Sequence, residues 1–160
     1  MIDKNQAVID FLLQCPTIQN SPVFFNFINA KDENKQIITM GNEKSVNTRY
    51  VDGSVAKRYT FTLVDFRSMS YNPIVKQAGY TDENVSELLD VQGIIDWIEE
   101  QATNRNFPNF GSECVMDSMM VLTDNPNING LVTSIQPILA KYAFTIQIDY
   151  TDESKRIWTD

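Results

Sequence analysis

The sequence predicts an α+β domain in which a mixed or antiparallel β-sheet is packed by a long central helix and an N-terminal helix. Three stretches predict it. Asn84–Asn106 repeats apolar residues at helical spacing for about six turns. Tyr142–Tyr150 alternates apolar and polar residues as a half-buried strand does. Arg58–Ser68, RYTFTLVDFRS, carries apolar residues on both parities, which marks a central strand. The 160 residues read as one domain, 1–160. A chain of this length buries roughly 70% of its unfolded surface and needs no disulfide or metal to hold a core.

The first helix spans Asp3–Gln14. Asp3 with Gln6 makes a capping-box-like start, and Val8, Phe11, Leu12 and Cys15 form one stripe that Pro16 ends. Ser21–Ala30 is aromatic and reads either as a short strand or as an irregular covering segment. Lys31–Lys35 is a charged turn, and Gln36–Met40 a strand stopped at Gly41. Residues 41–58 form a basic insertion with Lys44, Arg49, Lys57 and Arg58, and Asp52-Gly53 is a turn signal. It reads as a solvated loop or hairpin, or as an arm that docks on an acidic surface. Four dispersed charges do not make a nucleic-acid stripe.

In Arg58–Ser68, Tyr59, Phe61 and Leu63 share one face, and Thr60, Thr62, Val64 and Phe66 the other. Met69–Gly79 is a connection. The long helix follows, with Asn84 and Glu87 as a cap pair and Pro108 and Gly111 closing it. At 100° per residue Leu88, Val91, Ile95, Ile98 and Ala102 form the core stripe. Gln92, Asp96, Glu99, Glu100 and Thr103 make a polar strip. Leu89, Gly93 and Trp97 form a third row, which either the N-terminal helix or another subunit covers. Glu113–Thr123 is a strand with three methionines, read as core. Residues 124–138 read as a long loop, of the kind that functions or partners order. Residues 152–160 are a charged tail with Trp158, expected to pack on its own domain.

The chain has 13 Lys/Arg against 21 Asp/Glu, a net charge of −8. Residues 1–76 are net +2, residues 77–140 net −9 with Arg105 the single base, and residues 141–160 net −1. Such segregation points to ordered association or to a surface that repels polyanions. The chain contains no histidine, which excludes Ser-His-Asp and Cys-His catalysis, an HExxH zinc site and a histidine base. Cys15 and Cys114 lie in no metal-ligand spacing and read as buried free thiols, which favours a reducing cytoplasm. The N-terminus lacks the pattern of a signal peptide, and no apolar run reaches the ~20 residues of a membrane span. Phosphate-loop and dinucleotide motifs are missing. Asp65, Asp96, Asp149 and Glu99-Glu100 are read as structural or solvated carboxylates, and Asp124–Gly130 lacks the terminal Glu of a calcium loop. No catalytic, cofactor-binding or metal-binding residue is expected.

With VDGSVAKRYTFTLVDFRS, VQGIIDWIEEQATNRNFPNFG and LAKYAFTIQIDY in this order, the chain resembles the tail-terminator or minor tail/capsid proteins of siphophages and prophages of Gram-positive bacteria. The likeness spans most of the chain and has no catalytic motif. It implies a non-enzymatic virion protein of the tail or neck, assembled in the host cytoplasm. Six copies would form a ring that caps the tail tube and meets the head–tail connector, with DNA passing through unbound. The interface candidates are then Leu89, Gly93, Trp97, Asp96 and Glu100 on the helix, and Lys44, Arg49, Lys57 and Arg58 on the basic insertion. The alternatives are another head–tail joining protein and a small carboxylate-dependent enzyme.

Overall fold

The structure, a computed structural model, describes residues 3–20, 22–26, 33–39, 44–69, 83–122, 128–133 and 138–157. Helix α1 spans Lys4–Leu12. Asp3 is its N-cap, accepting from the backbone N–H of Asn5 at 2.9 Å and of Gln6 at 3.5 Å. These bonds occupy donors that a helix start leaves unpaired. The stripe Val8, Phe11, Leu12 and Cys15 is buried throughout. A 3-10 turn at Ile18–Asn20 leads to β1, Val23–Phe25, so that part of the aromatic segment is a short strand.

Strands β2 (Asn34–Thr39), β3 (Lys44–Arg49) and β4 (Val55–Ser68) precede helix α2 (Glu83–Thr103). Strands β5 (Cys114–Val121), β6 (Ile128–Val132) and β7 (Leu139–Asp152) follow it. β4 and β7 are antiparallel along their whole length, from Val55 opposite Asp152 to Ser68 opposite Leu139. Each has two shorter strands end to end along its outer edge, β3 and β2 on β4, β5 and β6 on β7. β1 is parallel to β2, so the seven-stranded sheet is mixed.

One face of the sheet holds the main core. Tyr59, Phe61 and Leu63 of β4 and Tyr142, Phe144, Ile146, Ile148 and Tyr150 of β7 join the buried residues of both helices in one cluster. The alternation read for both strands is therefore the observed one. Val64, Phe66 and Leu139 form a second, small cluster on the other face, beside Ala143. That face also carries polar pairs, such as the Thr62–Thr145 hydroxyls at 3.1 Å, and the exposed Val115 and Met120 of β5.

Of the readings of the basic insertion the hairpin is the observed one: β3 and β4 join around Asp52-Gly53, and Lys57 and Arg58 lie on a sheet strand. Three expectations are corrected. The expected loop 124–138 contains a strand, β6 at Ile128–Val132, which pairs with β7. On α2 the core stripe is Val91, Ile94, Ile95 and Ile98, all fully buried, while Leu88 is 37% exposed. The buried face is centred between Ile94 and Ile95, which leaves Leu88 at its edge. The helix ends before Pro108 and Gly111. Arg105 adopts φ 55°, its N–H donates to Ala102 O, and the N–H of Asn106 donates to Gln101 O. That is a Schellman closure made without glycine. The expected loop Met69–Gly79, apart from Met69, lies outside the described residues, as do Thr81, Asp82 and Trp158.

Candidate assembly surface

The third row of α2 divides. Trp97 is half-buried against Phe11 of α1, with ring centroids 5.1 Å apart, so the N-terminal helix covers this end. Leu89 is 64% exposed, and a Cβ at Gly93 would have nothing within 4 Å. Val85, Leu88 and Leu89, at i, i+3 and i+4, form an exposed apolar patch on the first turns. Asp96, Glu99 and Glu100 are exposed further along, where Asp96 accepts from Gln92 Nε2 at 2.8 Å.

The basic candidates divide as well. Lys57 binds Asp152 at 2.9 Å and Arg58 binds Asp149 at 2.8 Å, each across the β4–β7 ladder. Burial works against ionisation of Asp152, but bonds from Ser154 and Lys57 outweigh it and hold its carboxyl well below the usual range. Arg49 is exposed on β3. Lys44 lies on β3, and its side chain is outside the described residues.

A buried ionic cluster ties α2 to the sheet. Arg67 Nε donates to Asp65 Oδ2 at 2.9 Å, and its Nη1 donates to Glu87 at 2.8 Å and Asp90 at 3.1 Å on the first turns of α2. Asp65 has Lys35 of β2 opposite it across one ladder and Tyr142 of β7 opposite it across the other. Asp65 and Lys35 are 1% and 2% exposed. Burial pushes the Asp65 carboxyl up, against the pull of Arg67 and Lys35, and pushes the Lys35 ammonium down. Asp65 Oδ1 has no hydrogen-bond partner. Sequence reasoning missed this cluster, yet parity reveals it: Asp65 and Arg67 continue the face of Tyr59, Phe61 and Leu63.

One cleft is lined by Lys4, Phe110, Glu113, Cys114, Asp152 and Ser154, and another by Arg49, Gly53, Val55, Lys57 and Asp152. Among the described residues no group of three or more Cys, Asp or Glu side chains is arranged to hold a metal ion. Both cysteines are free thiols; Cys15 is buried and Cys114 half-buried. No described helix is long and apolar enough to cross a membrane. No protein-family model matches the chain, and no curated protein matches it.

Proposed function

We propose that this chain is a structural subunit that works by assembly, of the kind that caps a siphophage tail tube as a ring and joins it to the head connector. The observation that carries this reading is the patch of Val85, Leu88 and Leu89 beside the open Gly93. Single exposed apolar residues are ordinary. Three on consecutive turns, on a helix whose core stripe is already filled, make a contact face. The acidic strip beside it and the basic β3 suit contacts between different surfaces of like subunits, a heterologous geometry that closes into rings. In such a ring acidic surfaces facing the channel would let DNA pass without phosphate binding. Self-contacts, the tail tube protein and the connector are the partners, and the virion tail or neck is the location. Another head–tail joining position fits the same surface. The role needs no catalytic residue or cofactor.

Light scattering of the purified protein should give an oligomer, a hexamer in the ring reading, that purified tube protein recruits. Gly93→Leu should weaken assembly while unfolding stays cooperative, since a Cβ there meets nothing within 4 Å in the isolated subunit. A monomer at micromolar concentration that tube protein fails to recruit would overturn the reading.

A further inference from the structure

We propose that one copy joins the next through its sheet edges, β3 of one copy adding to β5 of its neighbour; this rests on the self-assembly reading above. Strand direction and charge carry it independently. At one end of the sheet the strands run in the order β3–β4–β7–β5, and every adjacent pair is antiparallel. Four alternating strands leave the two outer ones running in opposite directions. Copies related by rotation about an axis along the strands would therefore set β5 of one antiparallel to β3 of the next. The ladder would continue from copy to copy without a break in alternation. Among the described strands, β3 pairs only with β4 and β5 only with β7. An edge strand presents a row of backbone donors and acceptors to any strand that fits it.

The two edges carry opposite charge. β3, KSVNTR, has two bases and no acid. β5 with the residue before it, Glu113–Val121, has Glu113 and Asp117 and no base. The register sets their heights. Arg49, Val55, Asp152 and Cys114 lie in one row, and Lys44, Arg58, Asp149 and Ser118 in another. At equal height Arg49 of one copy comes level with Cys114 of the next, beside Glu113. Lys44 comes level with Ser118, beside Asp117. Pairing two β5 edges, or two β3 edges, would instead set like charges together. Charge thus selects the head-to-tail contact over a two-fold one. Arg49, Glu113 and Asp117 are all exposed, and Val115 and Met120 of β5 are each 47% exposed. Arg105 donates to the Met116 carbonyl at 2.9 Å, so the incoming strand meets that side chain near the middle of the edge.

Charge exchange tests the contact. Arg49→Glu and Glu113→Arg, each checked for native far-ultraviolet circular dichroism, should separately weaken self-association about tenfold per contact in sedimentation velocity. The double variant, with both charges exchanged, should recover most of it. If the wild-type protein assembles and both single variants assemble equally well, the edge contact is overturned and self-assembly stands through another surface, with α2 the first to test. If the single variants weaken assembly and the double variant does not restore it, the pairing of β3 with β5 is overturned. A wild-type chain that stays monomeric up to about 0.1 mM overturns both the edge contact and the assembly reading.

Discussion

Gly53 stands at φ 94° in the β3–β4 turn, and a Cβ there would lie 2.3 Å from the carbonyl oxygen of Lys155. Both the backbone conformation and the close approach of the C-terminal segment require glycine. That segment is held further by the Ile157 N–H donating to Asp52 O at 2.7 Å and by Arg156 beside Asp52 at 3.1 Å. Gly53→Ala should cost about 1–3 kcal/mol, read as a lower urea midpoint at unchanged slope. A second residue-scale test concerns Asp152. Its folded carboxyl ionises well below the ordinary value of 3.8, so its contribution to stability is present above that pH. The contribution is lost as pH falls below the unfolded value towards the folded one. Asp152→Asn should therefore be less stable than the wild-type chain at neutral pH and lose less stability between about pH 4 and pH 2, measured by chemical denaturation at each pH.

At the scale of elements, α2 shows how a helix is legible in outline and displaced in detail. Its existence, its length and most of its buried positions follow from spacing. Which residues lie at the rim of the stripe does not, because spacing leaves open where in the apolar arc the contact face is centred. Leu88 and Ile94 are both plausible by periodicity, and only the packing against β4, β5 and β7 chooses between them. Ile94→Ala should destabilise by about 2–5 kcal/mol, and Leu88→Ala by well under half of that. Equal losses in thermal or urea unfolding would place Leu88 in the core after all. The segment 41–58 has a different lesson. Its polar composition left loop and hairpin both open, because edge strands and long ladders that face water are stabilised by cross-strand partners, such as Asp149 for Arg58 and Asp152 for Lys57, that lie about 90 residues away in sequence.

At the scale of the whole molecule, β4 and β7 form the frame, and the ionic cluster around Arg67 fastens α2 to it. A buried ion pair is a weak source of net stability, but breaking one side of it is costly. Arg67→Met should cost about 3–5 kcal/mol, since it leaves Asp65 ionised or protonated in a buried site without its partner. Arg67→Met combined with Asp65→Leu should recover much of that loss in equilibrium unfolding. A double variant no better than the single one would show that the pair does not act as a unit. The proposed self-assembly belongs to this scale too, and light scattering with charge exchange on β3 and β5 tests it.

The amino-acid sequence by itself determined the α+β class, the capped first helix and its stripe, the alternation of the two long strands and the segregation of charge. These are local properties, set by side-chain period, capping chemistry and composition, and they need no knowledge of neighbours. Tertiary structure alone decided that Lys57 and Arg58 face acids of their own chain while Arg49 faces outward. It decided that Trp97 meets Phe11 while Leu89 is left exposed, and that Lys35, Asp65 and Arg67 converge beneath α2. Each of these depends on which distant strand or helix lies alongside. Strand pairing and helix crossing are cooperative choices of the folded chain, so the burial of a charge or the exposure of a leucine is settled only when the elements meet.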